Sequence, residues 1–223
     1  MPGSGAVTRN TLRQQIADAL RDEVLAARLA PDTEFTVKQI AEKYEVSATP
    51  VREALVDLSA QGLLESVQHR GFRVRTYSVE DYRGMVEARV LVVDGIFRRL
   101  VERGTAVGTA ELLVSVRRRA EEARRAARSG PLEVLIGYDL RFWRELSGLV
   151  GNAYITEFLH RIRVQCWVFS VPHLRKATAA EMRRVLWDGH GELVDAVTRA
   201  DAEEVRRIVH AYNQHGLDWA AGL

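Results

Sequence analysis

The chain is short of several features that would open other functional classes. It holds one cysteine, Cys166, among 223 residues. No intrachain disulfide and no Cys-rich zinc cluster can form from it, which fits a reducing cytoplasm. Cys166 lies between Val164 and Trp167 and reads as a buried structural thiol. No run of about 18 apolar residues occurs, so no membrane-spanning helix is expected. The opening Met1-Pro2-Gly3-Ser4-Gly5 lacks the apolar core of a secretory signal, and residues 1–9 read as a flexible tail. Charge of one sign is also missing. With 32 Lys+Arg against 30 Asp+Glu, the net charge is +2, so the placement of individual basic side chains has to carry any argument about nucleic acid. There is no Gly-rich phosphate loop, no activated nucleophile, no repeat and no long linker. The apolar fraction, 47%, is ordinary for a globular chain and is enough to bury a core.

What is present has a clear order. Leu12, Ile16, Leu20 and Val24 stand four apart, one face of a helix over 10–28, which Pro31-Asp32 breaks. Thr36-Val37-Lys38-Gln39 matches a capping box and opens a short helix with Val37, Ile40, Ala41 and Tyr44 inward, ending near Glu45. Pro50 disfavours helix at Thr49. Thr49 is therefore the expected N-cap of the next helix and Pro50 its first residue, with Ser47 as an alternative cap. That helix runs to about Ala60, buries Val51, Leu55 and Leu58, and stops at Gly62. Leu64–Val67 and Phe72–Arg75 alternate like two strands around the turn Gln68-His69-Arg70-Gly71. Everything after Ser78 reads helical, with segments over 79–103, 107–128, 132–150, 152–170, 179–199 and 201–220. Their punctuation is Gly104, Gly130-Pro131, Gly151-Asn152, Val171-Pro172 and Asp201, the last a cap. The fold expected is mainly α: a winged helix-turn-helix over 10–77, with three helices and a β-hairpin wing, and an all-helical bundle over 78–223.

Two short helices joined by a tight turn, the second offering its N-terminus outward, suit a helix that enters the major groove. The small polar Ser47 and Thr49 permit close approach to a phosphate backbone. Arg52 sits one turn into the helix and reaches toward a guanine or a phosphate. Lys38 is placed to clamp the backbone. His69, Arg70, Arg73 and Arg75 load the hairpin with donors. The run Val46-Ser47-Ala48-Thr49-Pro50-Val51-Arg52-Glu53-Ala54-Leu55, with Leu58, Gly62-Leu63-Leu64 and Gly71-Phe72-Arg73-Val74, resembles the GntR family of bacterial winged-helix regulators. The resemblance implies that Lys38, Ser47, Thr49, Pro50, Arg52 and His69 occupy DNA-contacting positions. The family usually has Arg between the Ser and Thr of this motif, where this chain has Ala48. Loss of a bidentate Arg–guanine contact removes about 1–3 kcal/mol of discrimination. Asp32 also replaces a Gly common after that Pro.

The helical half places polar groups on apolar faces, where they need partners. Arg89 falls among Val86, Val90 and Val93. Asp139 and Trp143 share a face. His190 lies with Leu186, Leu193 and Val194, and Tyr212 with Val205, Ile208 and Val209. The markers Glu87-Ala88-Arg89, Asp139-Leu140-Arg141-Phe142, Asn152, Gly189-His190-Gly191-Glu192-Leu193 and Asp201 resemble the FCD effector domain of the FadR-type branch of the same family. In many relatives one Asp and three His hold a metal. Asp139 and His190 match two of these positions, while Trp143 and Tyr212 stand at the other two. Trp offers no lone pair and neutral Tyr is a poor ligand, so the site is expected to be metal-free and no cofactor is implied. His215, one turn beyond Tyr212, is the one further ligand candidate. Arg89 is the expected anchor for a carboxylate, with a salt bridge to Asp94 or Asp139 as the alternative. Arg89, Asp139, Trp143, His190 and Tyr212 are the candidate ligand-binding residues. The run Arg117-Arg118-Arg119-Ala120-Glu121-Glu122-Ala123-Arg124-Arg125 reads as a solvated helix face with Arg117–Glu121 and Glu121–Arg125 pairs.

The expectation is a cytoplasmic transcription regulator, more in the manner of a repressor. As a homodimer it would bind a palindromic operator in double-stranded DNA and respond to a small organic acid, with no membrane partner. Two rivals stand beside it. One is a ligand-independent regulator with a vestigial pocket. The other is an enzyme using Asp139, His190 and Tyr212 for acid–base work.

Overall fold

The protein is described by a computed structural model covering residues 5–31, 33–103 and 110–223. It is mainly α-helical and divides into two compact units at Thr76/Tyr77, with Trp167–Pro172 grouped with the first. The elements are α1 (Gly5–Leu25), β1 (Glu34–Phe35), α2 (Val37–Tyr44), α3 (Ala48–Ala60), β2 (Leu64–Val67), β3 (Gly71–Val74), α4 (Val79–Arg103), α5 (Ala110–Ser129), α6 (Leu132–Gly148), α7 (Ala153–Leu174), α8 (Ala179–Val185), α9 (His190–Thr198) and α10 (Ala202–Ala221).

In the first unit α1 packs on α3, and α3 on α2 and β2. The four-residue spacing of Ile16, Leu20 and Val24 buries all three. Helix begins at Gly5, so residues 5–9 are not the loose tail expected of them; residues 1–4 and Asp32 lie outside the described residues. The helix also ends at Leu25, short of 28, where Ala27 turns to φ +49°. At α2 the capping box forms in full. Thr36 Oγ1 accepts from Gln39 N–H at 3.2 Å, and Gln39 Oε1 accepts from Thr36 N–H at 2.7 Å. Glu45 closes the helix in the left-handed region, and Val46 N–H reaches the Ala41 carbonyl at 3.0 Å.

The start of α3 corrects one expectation. Ser47, not Thr49, is the N-cap, with no side-chain bond, and Thr49 and Pro50 are already helical. The first turn of a helix has no carbonyl partner for its N–H groups, so Pro50 in that turn forfeits no hydrogen bond. The turn's preference for a cap at Thr49 is a bias that the tight 45–47 connection overrides. Val51, Ala54, Leu55 and Leu58 are fully buried. Gly62 (φ +80°) then lets Leu63 N–H reach the Leu58 carbonyl at 3.0 Å.

The hairpin is part of a three-stranded antiparallel sheet in the order β1-β3-β2. The short β1 was not expected from sequence, since two residues carry no period. Glu34 lies opposite Arg73 and Phe35 opposite Phe72, while Glu65 lies opposite Arg73 on the other side. Gly71 shows what this requires. Its φ is +112°, and an added Cβ would collide with the Phe35 carbonyl oxygen.

The second unit is a bundle. Helix α5 packs on α6 and α9, and α10 on α4, α8 and α9. Ala120 and Ala123 of α5 bring it close to Phe142, Leu193, Val194, Val205 and Ile208, which form the core. Two helical expectations change. The 179–199 segment is two helices, because Leu186 is extended and Trp187 turns its ring onto Trp143 and Tyr212. Gly189 lies so close under the Trp187 ring that a Cβ would stand 2.8 Å from it. Helix α7 continues through Pro172 to Leu174, since a proline in the last turn costs only one intrahelical bond. Gly104 and the expected helix start at 107 lie outside the described residues. Asp201 caps α10 by accepting from Glu204 N–H at 3.1 Å. A second capping box, Thr178 with Glu181, starts α8.

The arginine-rich stretch of α5 is a salt-bridged face. Arg117 meets Asp195 at 2.7 Å, Arg119 meets Glu145 at 2.9 Å and Arg124 meets Glu121 at 2.8 Å. Glu121 thus pairs at i,i+3, and Arg117 reaches α9 instead of Glu121, because cross-helix acids offer shorter geometry.

Candidate nucleic-acid face and buried cavity

In the first unit, the start of α2, the first turn of α3 and the tip of the wing line one open groove. Lys38, Ala48, Arg52, His69 and Arg70 all face it. Lys38 has its side chain 84% exposed and only a loose contact to Glu42 at 3.8 Å. Arg70 is equally loose, 3.8 Å from Glu34. Arg52 is exposed and has no hydrogen bond or ion pair among the described residues. A long cation left without an acid on a convex helix start is free to take an external acceptor. His69 holds φ +62° at the wing tip, and Arg70 N–H closes that turn on the Val67 carbonyl at 3.0 Å.

The remaining predicted residues are less prominent. Ser47 and Thr49 are exposed at the helix start, and Pro50 is half-buried. Arg73 does not join the groove: it pairs across the strands with Glu65. Glu42 and Glu45 also line the groove, so the face is of mixed charge.

The second unit contains a cavity of about 470 Å³, within the range of small-molecule sites. Its walls are largely apolar, from Val93, Phe97, Leu146, Leu159, Val205 and Val209. Its polar lining comes from Arg89, Ser147, His160, Arg163, Tyr212 and Asn213. Arg89, Trp143 and Tyr212 of the predicted set line it. Asp139 and His190 are buried beside it and are not among its lining residues.

Arg89 makes neither of the salt bridges considered for it. Its Nε donates to Asn213 Oδ1 at 2.9 Å, and its guanidinium lies 5.2 Å from the Tyr212 ring centre. Asp94 instead meets His210 at 2.7 Å. Burial pushes the Arg89 pKa down, and nearby negative charge, that of Asp139 included, raises it. Asp139 belongs to a residue the sequence did not single out, Arg163 of α7. Arg163 Nη1 stands 3.8 Å from Asp139 Oδ2 and donates to the Tyr212 hydroxyl at 2.6 Å. Its guanidinium lies 4.0 Å from the Trp143 ring centre, a close cation–π contact. Trp143 Nε1 donates to Asp139 Oδ1 at 3.0 Å, and His190 Nε2 lies 3.4 Å from the same oxygen. The Tyr212 hydroxyl is therefore tied to Arg163, and Asp139 is shared by Trp143, His190 and Arg163.

This arrangement does not fit a metal. The four positions converge, with the Trp143 and Tyr212 rings 5.0 Å apart. Two of them offer no good donor, however, and a guanidinium already stands between Asp139 and Tyr212. His215 turns away, its Nε2 lying 2.8 Å from the Val185 carbonyl. Among the described residues no three His, Cys, Asp or Glu side chains stand close enough to share an ion. Arg163 and Asn213 had faint signals in the sequence. Arg163 interrupts the apolar Ile162 and Val164, and Asn213 continues the four-residue stripe of Val205 and Val209.

A three-helix unit with a sheet-backed wing, followed by a helical bundle around a cavity, defines a winged-helix DNA-binding regulator with an attached helical domain. The comparisons with known proteins agree. Residues 12–74 match the family described as bacterial regulatory proteins, gntR family, and residues 84–215 match the FCD domain. The chain belongs to the GntR family of transcription regulators, in the group that carries an FCD domain, and is not an enzyme. It is 28% identical over 212 residues to the "Probable D-xylose utilization operon transcriptional repressor" of Paenarthrobacter nicotinovorans, covering 95% of this chain and 88% of that protein. It is 26% identical over 203 residues to the HTH-type transcriptional regulator BphR of Paraburkholderia xenovorans, covering 89% and 80%. The solved structure of E. coli McbR/YncC shares the fold, with a TM-score of 0.75 at 22% identity over 95% of this chain and 97% of that one. No described helix is long and apolar enough to cross a membrane.

Proposed function

We propose that this protein is a ligand-responsive repressor that binds a palindromic operator as a homodimer and carries a small organic acid in its FCD cavity. The observation that supports the DNA half most strongly is Arg52. It is a long cation without a partner among the described residues, beside Lys38, His69 and Arg70 in one groove. Ser47, Thr49 and Pro50 shape the helix start for close approach to phosphate, and Arg73 supports the wing through Glu65. Two-fold protein symmetry matched to two half-sites is the usual geometry of such readers. The repressor reading is supported by the printed description of the Paenarthrobacter relative.

A lined cavity of about 470 Å³ favours a sensor over a regulator with a filled, vestigial bundle. Arg89 is the anchor for a carboxylate, with Trp143 and Tyr212 beside it. Asp139 and His190 shape the site from behind. Domain limits of 10–77 for the reader and 78–223 for the sensor follow from the same division of labour.

The test is selection of bound duplexes from a random library, followed by anisotropy titrations. The expected result is a two-fold symmetric site that Arg52→Ala no longer recognises. Replacing Ala48 with Arg is expected to move the selected sequence, since it adds a second long cation to the first turn. An unchanged site in Ala48→Arg, or unchanged affinity in Arg52→Ala, contradicts this view of the helix.

A further inference from the structure

The formal charges buried in the second unit do not balance. Among the described residues the buried charged side chains are Arg89, Arg163 and Asp139, at 4%, 5% and 4% exposure. Two guanidinium groups thus share one carboxylate. The Cys166 thiol and the Tyr82 hydroxyl add no negative charge there, because burial pushes both well up. A buried charge without a counter-charge is costly, and the cost falls when an opposite charge enters the same space.

A second observation points the same way. Asn213 is 2% exposed and lines the cavity. Its oxygen is committed to Arg89 Nε, which fixes the amide orientation, and its Nδ2 is buried with no partner. An orphaned donor beside an arginine fork is complementary to an oxyanion. Both guanidinium groups lie against one ring, at 5.2 and 5.3 Å from the Tyr212 centre.

We infer that the cavity takes a singly charged organic acid without any metal, its carboxylate held by Arg89 and the Asn213 amide and its apolar body by the cavity walls. Arg163 supplies a fixed positive charge between Asp139 and the Tyr212 hydroxyl. It is a positioning residue, clamped by Asp139, the Trp143 face and the Tyr212 hydroxyl. One positive charge in surplus matches one carboxylate. The inference rests on the sensor reading above and adds the charge, the second donor and the independence from metal.

The experiment is calorimetric titration of the full chain in EDTA. The probes are straight-chain monoacids of six to ten carbons, 3-phenylpropionate, the primary amide of each, and succinate. At least one monoacid is expected to bind with EDTA present, with its neutral amide and succinate each at least ten-fold weaker. Arg89→Gln and Asn213→Leu are each expected to lose ten-fold or more for that acid. Arg163→Lys, which keeps the charge, is expected to retain more affinity than Arg163→Gln. The wild-type comparison of acid with amide stands even where a variant fails to fold. Absence of binding by every monoacid, equal binding of acid and amide, equal binding of succinate, or binding only after zinc is added overturns the inference. Duplex selection run in parallel separates the two levels. A selected operator with no acid binding leaves the regulator standing and removes the charge clamp. Acid binding with no selected operator does the reverse.

Discussion

Two arginines of each unit stand in opposite surroundings. In the winged-helix unit, Arg52 and Arg70 stand in solvent, loosely held or unpaired, and their charge is available to an external polyanion. In the helical unit, Arg89 and Arg163 are buried and wrapped by aromatic rings and amides. An exposed cation costs little to maintain and acts by contact with phosphate and base edges. A buried cation must be compensated continually, so its surroundings reveal what it awaits. The first unit offers a surface that several ligands of one chemistry can meet. The second offers a cavity lined by two buried guanidinium groups and the Asn213 amide.

That contrast can be broken or sharpened by substitution. The largest effect is expected from Asp139→Asn, which leaves two buried guanidiniums without an acid. The helical unit should lose about 3–5 kcal/mol of stability, read as a lowered thermal midpoint, while the winged-helix unit keeps its folded signal in hydrogen exchange. A smaller change in the helical unit than from a comparable surface variant would show that Asp139 is not the counter-charge.

Next comes reconstruction of the metal positions. Trp143→His with Tyr212→His should gain no useful zinc affinity while Arg163 stands between Asp139 and position 212. Adding Arg163→Met should create a four-ligand site. With zinc at about a hundred times Kd, thermal stability should rise by about 2.7 kcal/mol. Tight zinc binding by the double variant alone would show that Arg163 does not exclude the ion.

On the exposed face, Arg52→Ala should cost about 1–3 kcal/mol of discrimination in each half-site, abolishing specific recognition over the two, and leave the thermal midpoint unchanged, because the side chain supports nothing in the fold. The smallest effect is expected from Thr36→Ala. It removes the side-chain half of the α2 capping box and should cost about 1 kcal/mol of stability, measured by urea unfolding. A loss of DNA affinity at unchanged stability would instead give Thr36 a direct role in the groove.

The same contrast governs how much was legible in the sequence. The reader is built from contiguous residues. Thr36 to Gln39, Ser47 to Leu55 and Gly71 to Val74 each carry their own local chemistry of caps, turns and a close glycine, so these elements could be placed within a residue or two. At the start of α3 the sequence preferred Thr49 over Ser47 as cap, and Ser47 is the cap because Pro50 is tolerated in a first turn where no bond is lost. The strand β1 escaped because Glu34 pairs only once β3 is beside it. The cavity is assembled from α4, α6, α7, α9 and α10, with Arg89 and Asn213 124 positions apart. Periodicity marked Arg89, Asp139 and Tyr212 as polar groups on buried faces. It could not say which acid each would meet, and Arg163 took the partner expected for Arg89. Ring packing by Trp187 likewise split a helix that looked continuous.

The link between the two units is tested most directly by one titration. Anisotropy of a fluorescent duplex chosen by the protein itself is followed with and without a saturating monocarboxylate, in EDTA. The prediction is a shift in duplex Kd of at least five-fold, the lower end of ordinary allosteric coupling, with none from the matching amide. An unchanged Kd with the cavity shown by calorimetry to be filled, or a shift that appears only with added metal, would contradict it.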